Sequence, residues 1–488
     1  MKHKSTPHKS VWIVPVFLLF LALFSVTAFA EDNVIRILNA DGTVKSEVTH
    51  ADPREAWNIA YRAAEAGDKK AEIVFGCNWT HDLDLGLAAG QDLTLDLNGH
   101  TILRTRGGKQ IDNGFIFHIF DGTRLTVRDS DPASAGYDGI KGGVIAGGAC
   151  KNGGGCIQIE AGGTCVIEGG TIHQCTTNDH GGAVKLAGAS GKTTTLLMTG
   201  GAVNNCQTVY ARANTHGGAV YSDYGTVYIE NAQMDSCFAE DNGGAVYMNS
   251  GNLYIKNSVF SGNRCRDFGG AVFIDGGGLR LENCIFASNS AEDDGGAVYI
   301  DHGKGNDIRG CSFSGNRADG NGGAICVNDE RAFLLDTQIT ENTAGGYGGG
   351  VYVDSLCDIN LKGLMRICGN AGKNNRNNLT LQSGSASTAY LSSGGLTDGS
   401  LVSLSSTAGG AVRLGQDISA YQQSRYFRAD YGSLELRDTE ERDASMLASM
   451  IGSGKGLVCI GLGAAAVGTV IVLGVRHKKK ANRKEDGE

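Results

Sequence analysis

The sequence predicts an all-β fold, a right-handed parallel β-helix (solenoid) of about ten coils, and three observations lead to it. A Gly-Gly pair followed by a short alternating strand recurs at Gly217, Gly243, Gly269, Gly295, Gly322 and Gly348. The intervals between these pairs are 26, 26, 26, 27 and 26 residues. A second motif recurs in step with the first, as FSGN, FASN, FSGN and ITEN. Units this short and glycine-rich cannot bury a core alone, so neighbouring units must stack.

A single repeat predicts three short strands. Residues 271–274 alternate, a glycine turn follows at 276–278, and a second alternating strand leads to an apolar residue five positions later. Alternation of period two between glycine or Asn turns indicates strands. The residues expected to point inward are Val272, Ile274, Leu279, Leu281 and Phe286, with Val246, Val272 and Val298 stacked on successive coils. At ~4.8 Å per coil, ten coils make a rod of roughly 50 Å.

The same register divides the chain into regions. Gly pairs at Gly154 and Gly181 extend the repeat towards the N-terminus, and the interval of 36 residues to Gly217 predicts one longer turn around Lys192. We expect an N-terminal cap with the first coils in 31–141, the β-helix repeats in 142–372, and a C-terminal β cap or module in 377–447.

One helix is expected in the N-terminal region. Asp52 is a suitable N-cap, Pro53 suits the first helical turn, and Gly67 is a stop signal. Because an open solenoid end exposes apolar core and unpaired strand edges, we expect this helix, with Trp57 on its apolar face, to cap the N-terminal end.

Both termini carry signals for a surface location. Residues 1–30 have the basic, apolar and Ala-x-Ala regions of a signal peptide. Residues 457–475 are uncharged and long enough to span a bilayer, and 476–488 form a basic tail. These features predict a single-pass type I protein with its ectodomain outside and its C-terminus in the cytoplasm. The Leu-Pro-x-Thr-Gly sorting motif is absent from the sequence, and we expect anchoring in the single membrane of a Gram-positive bacterium.

The net charge of the predicted ectodomain limits the classes of molecule that it can bind. Residues 31–454 contain 33 Lys and Arg against 49 Asp and Glu, a formal charge of −16, which disfavours nucleic acid and anionic lipid. We expect a polysaccharide or other cell-surface ligand, with the membrane contacted only through the C-terminal helix.

Thirteen cysteines precede the apolar segment, and Cys175, Cys206 and Cys237 take the repeat position that Asn occupies later. This spacing predicts stacked buried thiols, with cross-coil disulfides as the alternative.

The paired motifs Gly-Gly-Ala-[Ile/Val] and Phe-x-x-Asn, between Gly154 and Asn370, resemble the repeats of the polymorphic outer-membrane proteins. The resemblance implies a right-handed β-helix with an adhesive role. The chain departs from that family in ending with one apolar segment rather than a membrane barrel. The predicted fold is also pectate-lyase-like, and many proteins of that fold are polysaccharide lyases or hydrolases.

A polysaccharide lyase of this fold requires clustered carboxylates that bind calcium and a basic residue, and a glycoside hydrolase requires two or three carboxylates close together. The sequence offers four candidate pairs, which are Asp293-Asp294, Asp179-His180, Thr215-His216 and Asp301-His302. The first of these pairs lies in a column that varies from coil to coil, which is typical of a solvated turn. We therefore assign no catalytic residue, metal ligand or cofactor, and calcium remains an open alternative.

One column of aromatic residues provides a candidate ligand-binding stripe, formed by Tyr221, Tyr247, Phe273, Tyr299 and Tyr352. Because the flanking Val and Ile residues are expected to face inward, the stripe should face outward, where its rings could stack on sugars. A self-stacking ladder that stabilises the coils is the favoured alternative. The sequence thus predicts a surface adhesin or glycan-binding rod, with a cell-surface polysaccharide lyase or glycoside hydrolase as the second interpretation.

Overall fold

The computed structural model describes residues 31–105, 110–209, 214–329, 331–355, 357–373, 377–382, 390–407, 412–414, 420–430 and 434–436. The predicted signal peptide and the apolar segment 457–475 lie outside these residues. Among the residues described, no helix is long and apolar enough to cross a membrane.

An antiparallel hairpin and a helix form the N-terminal end. Strands Asn33–Leu38 and Val44–His50 pair with each other, and the first also pairs antiparallel with Lys70–Val74, the first strand of the solenoid wall. Helix Pro53–Glu65 begins at the N-cap Asp52, whose side chain accepts a hydrogen bond from the backbone N–H of Arg54. Its Trp57 ring lies 6.0 Å from the Phe117 ring. The predicted capping helix is therefore present, and the hairpin adds a second cover.

The solenoid wall consists of parallel strands stacked coil upon coil, and each coil contributes up to four strands. The first-strand stack follows the Gly-Gly pairs and comprises Leu85–Gly86, Phe117–Ile119, Ile157–Ile159, Val184–Leu186, Val220–Ser222, Val246–Met248, the start of Val272–Glu282, Val298–Gly303, Ile325–Val327, Val351–Val353, Leu379–Leu381 and the end of Leu401–Ser406. The second-strand stack comprises Lys70–Val74, Asp92–Asp96, Arg124–Arg128, Thr164–Ile167, Thr195–Met198, Thr226–Glu230, Asn252–Lys256, the end of Val272–Glu282, Asn306–Arg309, Arg331–Leu335, Asp358–Gly363, Tyr390–Leu396, Val412–Leu414 and Leu434–Leu436.

Two further stacks complete the solenoid wall, and the second of them has strands on only some of the coils. The third-strand stack comprises Trp79–His81, Thr101–Arg104, Val144–Ala146, Thr171–His173, Ala202–Asn204, Gln233–Asp235, Val259–Ser261, Ile285–Ala287, Ser312–Ser314, Gln338–Thr340, Arg366–Ile367, the start of Leu401–Ser406 and Phe427–Ala429. The short-strand stack comprises Ala149–Cys150, Thr176–Thr177, Gln207–Thr208, Phe238–Ala239, Arg264–Cys265, Ser290–Ala291, Arg317–Ala318 and Thr343–Ala344.

The all-β solenoid has about 12 turns, two more than the sequence predicts. Part of the difference lies in the C-terminal region, where Leu379–Leu381 pairs parallel with Val351–Val353 and then with Leu401–Ser406. These strands continue the parallel pairing of the solenoid, and the short helix Ala420–Tyr426 precedes Phe427–Ala429, which pairs with Leu401–Ser406. The regular spacing of the Gly-Gly pairs is lost there while the strand pairing persists, so the motif alone understates the length.

The inward residues predicted from one repeat are confirmed. Val272, Ile274 and Leu281 are fully buried, as are Val246 and Val298 on the neighbouring coils. The register pairs Val246 with Val272 and Val272 with Val298, so like residues stack along the axis. This stacking makes one continuous core along the rod.

The Gly-Gly pair is required by the backbone at both of its positions. Gly243 has φ +68°, a left-handed conformation that side chains rarely adopt. A Cβ on Gly244 would collide with the carbonyl oxygen of Gly270 on the next coil. The first glycine therefore supplies the turn, and the second permits the close approach of adjacent coils.

A ladder of buried Asn side chains connects the coils at the turn after the third strand. Asn289 accepts hydrogen bonds at 3.0 Å from both the backbone N–H and the Nδ2 of Asn263. Its own Nδ2 donates to the Phe260 carbonyl at 2.9 Å and to Asn316 Oδ1 at 3.0 Å. Cys237 precedes the ladder and donates its backbone N–H to Asn263. The predicted column, with Cys on the earlier coils and Asn on the later ones, is therefore one continuous hydrogen-bonded stack.

All thirteen cysteines that precede the apolar segment are free thiols, and eleven of them are buried. Burial raises the pKa of Cys237 to about 12. Cys284 lies directly before Cys311 in a second column, where the backbone N–H of Cys284 points at the Cys311 sulfur at 3.4 Å. The thiols therefore act as small apolar side chains that fill the turns.

We predict that Asn289→Ala lowers the free energy of unfolding by roughly 2–4 kcal/mol, because it leaves the buried Asn263 donors without an acceptor. The exposed Asn252→Ala is the matched control and should change stability by less than about 0.5 kcal/mol. Urea unfolding followed by circular dichroism measures both. Equal midpoints for the two variants would contradict a stabilising role for the ladder.

Candidate functional site

The aromatic stripe is a stacked ladder that is almost completely covered. Tyr247, Phe273 and Tyr299 are 5–6% exposed, with successive ring centroids 5.0 and 5.1 Å apart and planes within 4° of parallel. Tyr352 is 7% exposed and Tyr221 is partly buried. The expectation that the stripe is exposed is therefore wrong, although its role in ligand binding stays a prediction.

An outer row of side chains covers the stripe, and it includes His180 and His216, which sequence analysis considered only as members of catalytic pairs. His180 stacks on Tyr221 and His216 on Tyr247, each at 4.3 Å between centroids, while Phe268 lies 4.8 Å from Tyr299. These residues belong to the turn that precedes each Gly-Gly pair, which folds back over the first-strand stack. Because of this burial the pKa of each tyrosine hydroxyl in the stripe is raised.

The outer row also caps the backbone. His180 Nδ1 accepts a hydrogen bond from the His216 N–H at 3.2 Å, and His216 Nδ1 accepts from the Asn242 N–H at 3.4 Å. Asn242 Oδ1 accepts from the Phe268 N–H at 3.0 Å. An imidazole that accepts through Nδ1 is neutral, and burial lowers the pKa of His180 to about 4 and that of His216 below its usual value.

Towards the N-terminus the aromatic column gives way to polar side chains. In the first-strand stack, His118 pairs in register with Gln158, Gln158 with Lys185, and Lys185 with Tyr221. We call the group His118, Gln158, Glu160, Asp179 and Lys185 the polar patch. It spans three adjacent coils, and the last of these carries the long turn at the one break in the repeat.

Two side-chain pairs, His118 with Glu160 and Lys185 with Asp179, organise the polar patch. His118 Nε2 lies 2.8 Å from Glu160 Oε1, and Gln158 Nε2 donates to the same oxygen at 3.3 Å. Lys185 Nζ lies 2.7 Å from Asp179 Oδ2. The hydrogen bond with His118 lowers the pKa of Glu160, and the Lys185 charge acts in the same direction. The patch therefore presents an ionised carboxylate and a paired ammonium at neutral pH.

Exposed rings and the long turn border the polar patch. The ring of Phe120, which is 39% exposed, lies 4.1 Å from the His118 ring between centroids and is tilted by 42° to it. Tyr224, which is 60% exposed, packs against Gly188 in the long turn. The turn itself is tied down by an ion pair of 2.5 Å between Lys192 and Asp121. Rings beside charged groups are a combination that binds sugars.

The other sequence candidates have different environments. The Asp294 carboxylate accepts a hydrogen bond from the backbone N–H of Asn321, as expected of a structural turn residue. Burial raises its pKa. In contrast, Asp301 and His302 lie together, with 3.1 Å between Asp301 Oδ2 and His302 Nδ1.

Sequence reasoning overlooked a second aromatic pair. Tyr228 and Tyr254 lie on the outward face of the second-strand stack, with ring centroids 4.7 Å apart, and Tyr228 is 40% exposed. The repeated pattern Tyr-Ile-Glu and Tyr-Ile-Lys was the available signal. The polar patch was missed because its members come from separate repeats and are joined only by register.

We predict that Phe273→Ser destabilises the fold by about 3 kcal/mol, the usual cost of truncating a buried ring. Tyr228→Ser, in the exposed pair, is the control and should lower the free energy of unfolding by about 1 kcal/mol or less. Denaturant unfolding measures the difference. Equal stabilities would show that the buried stripe does not support the coils.

A second prediction concerns pH. Because the folded pKa of His180, about 4, lies below its ordinary value of 6.5, folding favours the neutral ring. Its contribution is complete above about pH 6.5 and declines as the pH falls towards 4. His180→Asn keeps the acceptor, as Asn242 does at the equivalent position, and removes the proton uptake. Unfolding titrations at pH 4.5 to 7 should show a smaller loss of stability in this variant, and an unchanged slope would contradict this assignment.

Comparison with known proteins agrees with this geometry. A family model described as the right-handed beta helix region matches residues 118–363, just over half of the chain. The match supports a pectate-lyase-like β-helix, and the narrower resemblance to polymorphic outer-membrane repeats stays a prediction. No curated protein and no solved structure matches the chain.

Proposed function

The chain belongs to the right-handed β-helix family, and from that premise we propose that it is a surface-anchored rod that binds polysaccharide through the polar patch. The fold is compatible with an adhesin or with a protein acting on polysaccharide. The polar patch supports the binding interpretation. On this part of the outward first-strand face, charged and hydrogen-bonding groups take the place of the stacked aromatic rings.

The ionisation of the patch is the observation that favours binding over catalysis. Glu160 is held ionised by His118, so it is poorly suited to donate a proton to a leaving group. Lys185 Nζ is held 2.7 Å from Asp179 Oδ2, so it is engaged by a carboxylate of the chain itself. Fixed charges and hydrogen-bonding groups beside the exposed Phe120 ring suit recognition of sugar hydroxyls and carboxylates.

A surface location is part of the same proposal. It is supported by the signal-peptide features of residues 1–30, by the apolar run 457–475 and by the basic tail that follows it. In this arrangement the rod extends from the outer side of the membrane, with the polar patch in the half of the solenoid remote from the anchor.

A polysaccharide lyase or glycoside hydrolase is the second candidate. It is favoured by the concentration of Glu160, Asp179 and Lys185 on two adjacent coils, since such enzymes require carboxylates and a base close together. The ionisation just described argues against it, and product formation separates the two candidates.

We predict that cells displaying the full-length protein retain labelled polysaccharides from a panel of neutral and uronate polymers. The double variant Glu160→Gln, Lys185→Met should bind at least about tenfold more weakly, because it removes both fixed charges. Lys256→Met removes an exposed lysine whose ion pair with Glu282, at 3.6 Å, lies on another face, and it should leave binding unchanged.

The same cells test location and chemistry. Protease added to intact cells should abolish retention, and unfolding curves confirm that the variants fold. Retention that is equal in the double variant and the control would overturn the patch assignment. Release of unsaturated or shortened oligosaccharides would replace the binding function with the enzymatic one.

A further inference from the structure

A column of polar side chains runs beside the buried stripe, two positions further along each first strand. Its members from Val220–Ser222 onward are Asp223, Asn249, Asp275, Asp301, Asn328 and Asp354. Amides alternate with carboxylates at two steps, where Asn249 donates to Asp223 at 2.6 Å and Asn328 donates to Asp301 at 2.7 Å. Asp275 and Asp301 break this pattern, because they follow each other on adjacent coils without an amide between them.

The juxtaposition of Asp275 and Asp301 is fixed by the strand register. Ile274 pairs with Ile300, and Gly276 pairs with His302, which places the two carboxylates opposite each other. Like charges that face each other on neighbouring strands are destabilising. A positive group is therefore needed at this step of the column.

The imidazole of His302 contacts the carboxylates of both Asp275 and Asp301. Its Nδ1 lies 3.1 Å from Asp301 Oδ2 and 3.6 Å from Asp275 Oδ1, and its Nε2 lies 3.3 Å from Asp329 Oδ2. Across the part of the chain that the structure describes, the ion pairs of these three carboxylates are all with His302. A single imidazole, even when protonated, leaves the group with two excess negative charges.

The third carboxylate lies on the other side of the ring, with Asp329 Oδ2 3.3 Å from His302 Nε2. When the ring proton is on Nε2, it points to Asp329 and the Nδ1 lone pair faces Asp275 and Asp301. A lone pair between two carboxylates is repelled unless a cation lies among them. A histidine that donates its other ring nitrogen to a carboxylate is the usual arrangement of a metal ligand.

We propose that Asp275, Asp301 and His302 bind a divalent transition-metal ion of the zinc class, and that Asp329 orients the imidazole. The candidate ligand atoms of the three residues lie within 4.8 Å of one another. Bonds of about 2.0–2.1 Å place tetrahedral ligands about 3.4 Å apart, and the two distances from His302 Nδ1 fall on either side of that value.

The donor set selects the type of metal. Calcium and magnesium take oxygen ligands, whereas a nitrogen ligand with carboxylates suits zinc and its neighbours. The side chains of His302 and Asp329 are 59% and 61% exposed. The ion would therefore keep coordination positions open to solvent. This site is independent of the polar patch and of the proposed polysaccharide binding.

The test is a titration of the purified, untagged full-length protein with Zn²⁺ by calorimetry and with Co²⁺ by visible absorption, after removal of metals with a chelator. We expect one site of tetrahedral nitrogen–oxygen type, with Ca²⁺ at least about tenfold weaker. Asp301→Asn and His302→Gln should weaken Zn²⁺ binding at least about tenfold, and Asp329→Asn should weaken it by about 10–100-fold through the second ligand shell.

Asp223→Asn is the matched control, since it changes a carboxylate of the same column that has no histidine beside it, and it should leave binding unchanged. Melting curves without metal establish that each variant is folded. Absence of binding would overturn the proposal and leave a protonated His302 as the positive group. A thiolate absorption band with Co²⁺, or equal affinity in the His302 variant, would overturn it in favour of the cysteines.

Discussion

The structure depends on one constraint, the parallel in-register pairing of each coil with the next. This pairing places each side chain directly above its counterpart on the preceding coil. The contribution of a residue to stability therefore depends mainly on the residues of its own column. Apolar columns form the core, the Asn column satisfies buried backbone groups, and the first-strand aromatic column stacks at about 5 Å. Columns, rather than individual contacts, are the units that the sequence must keep consistent.

Because columns are periodic, much of the fold could be predicted from the sequence. The spacing of the Gly-Gly pairs located the coils, and alternation identified Val272 and Leu281 as core residues. The spacing did not reveal how far strand pairing continues once Gly-Gly is lost, as at Leu379–Leu381. It also did not reveal the N-terminal hairpin, because antiparallel pairing with Lys70–Val74 has no counterpart in the repeat.

The candidate sites were harder to predict, for a related reason. Alternation tells which side of a strand a residue occupies, and Tyr247 does lie outside the main core. It does not tell what covers that side, and the turn carrying His216 folds over the ring. The polar patch arises where a column changes its residue type between coils, and the Asp275–His302 cluster arises where a column that otherwise alternates carries Asp on two successive coils. Such changes become visible only when the register between repeats is known.

The hairpin at the N-terminal end has a consequence for how the protein can vary. It closes one end of the rod against further strands, whereas each internal coil meets its neighbours through nearly identical surfaces. Loss of residues 243–268 would bring Val220 beneath Val272 and Tyr221 beneath Phe273, so the core column and the aromatic column would each rejoin a residue of like type. The length of the rod is thus free to change in steps of one coil, separately from the chemistry on its faces.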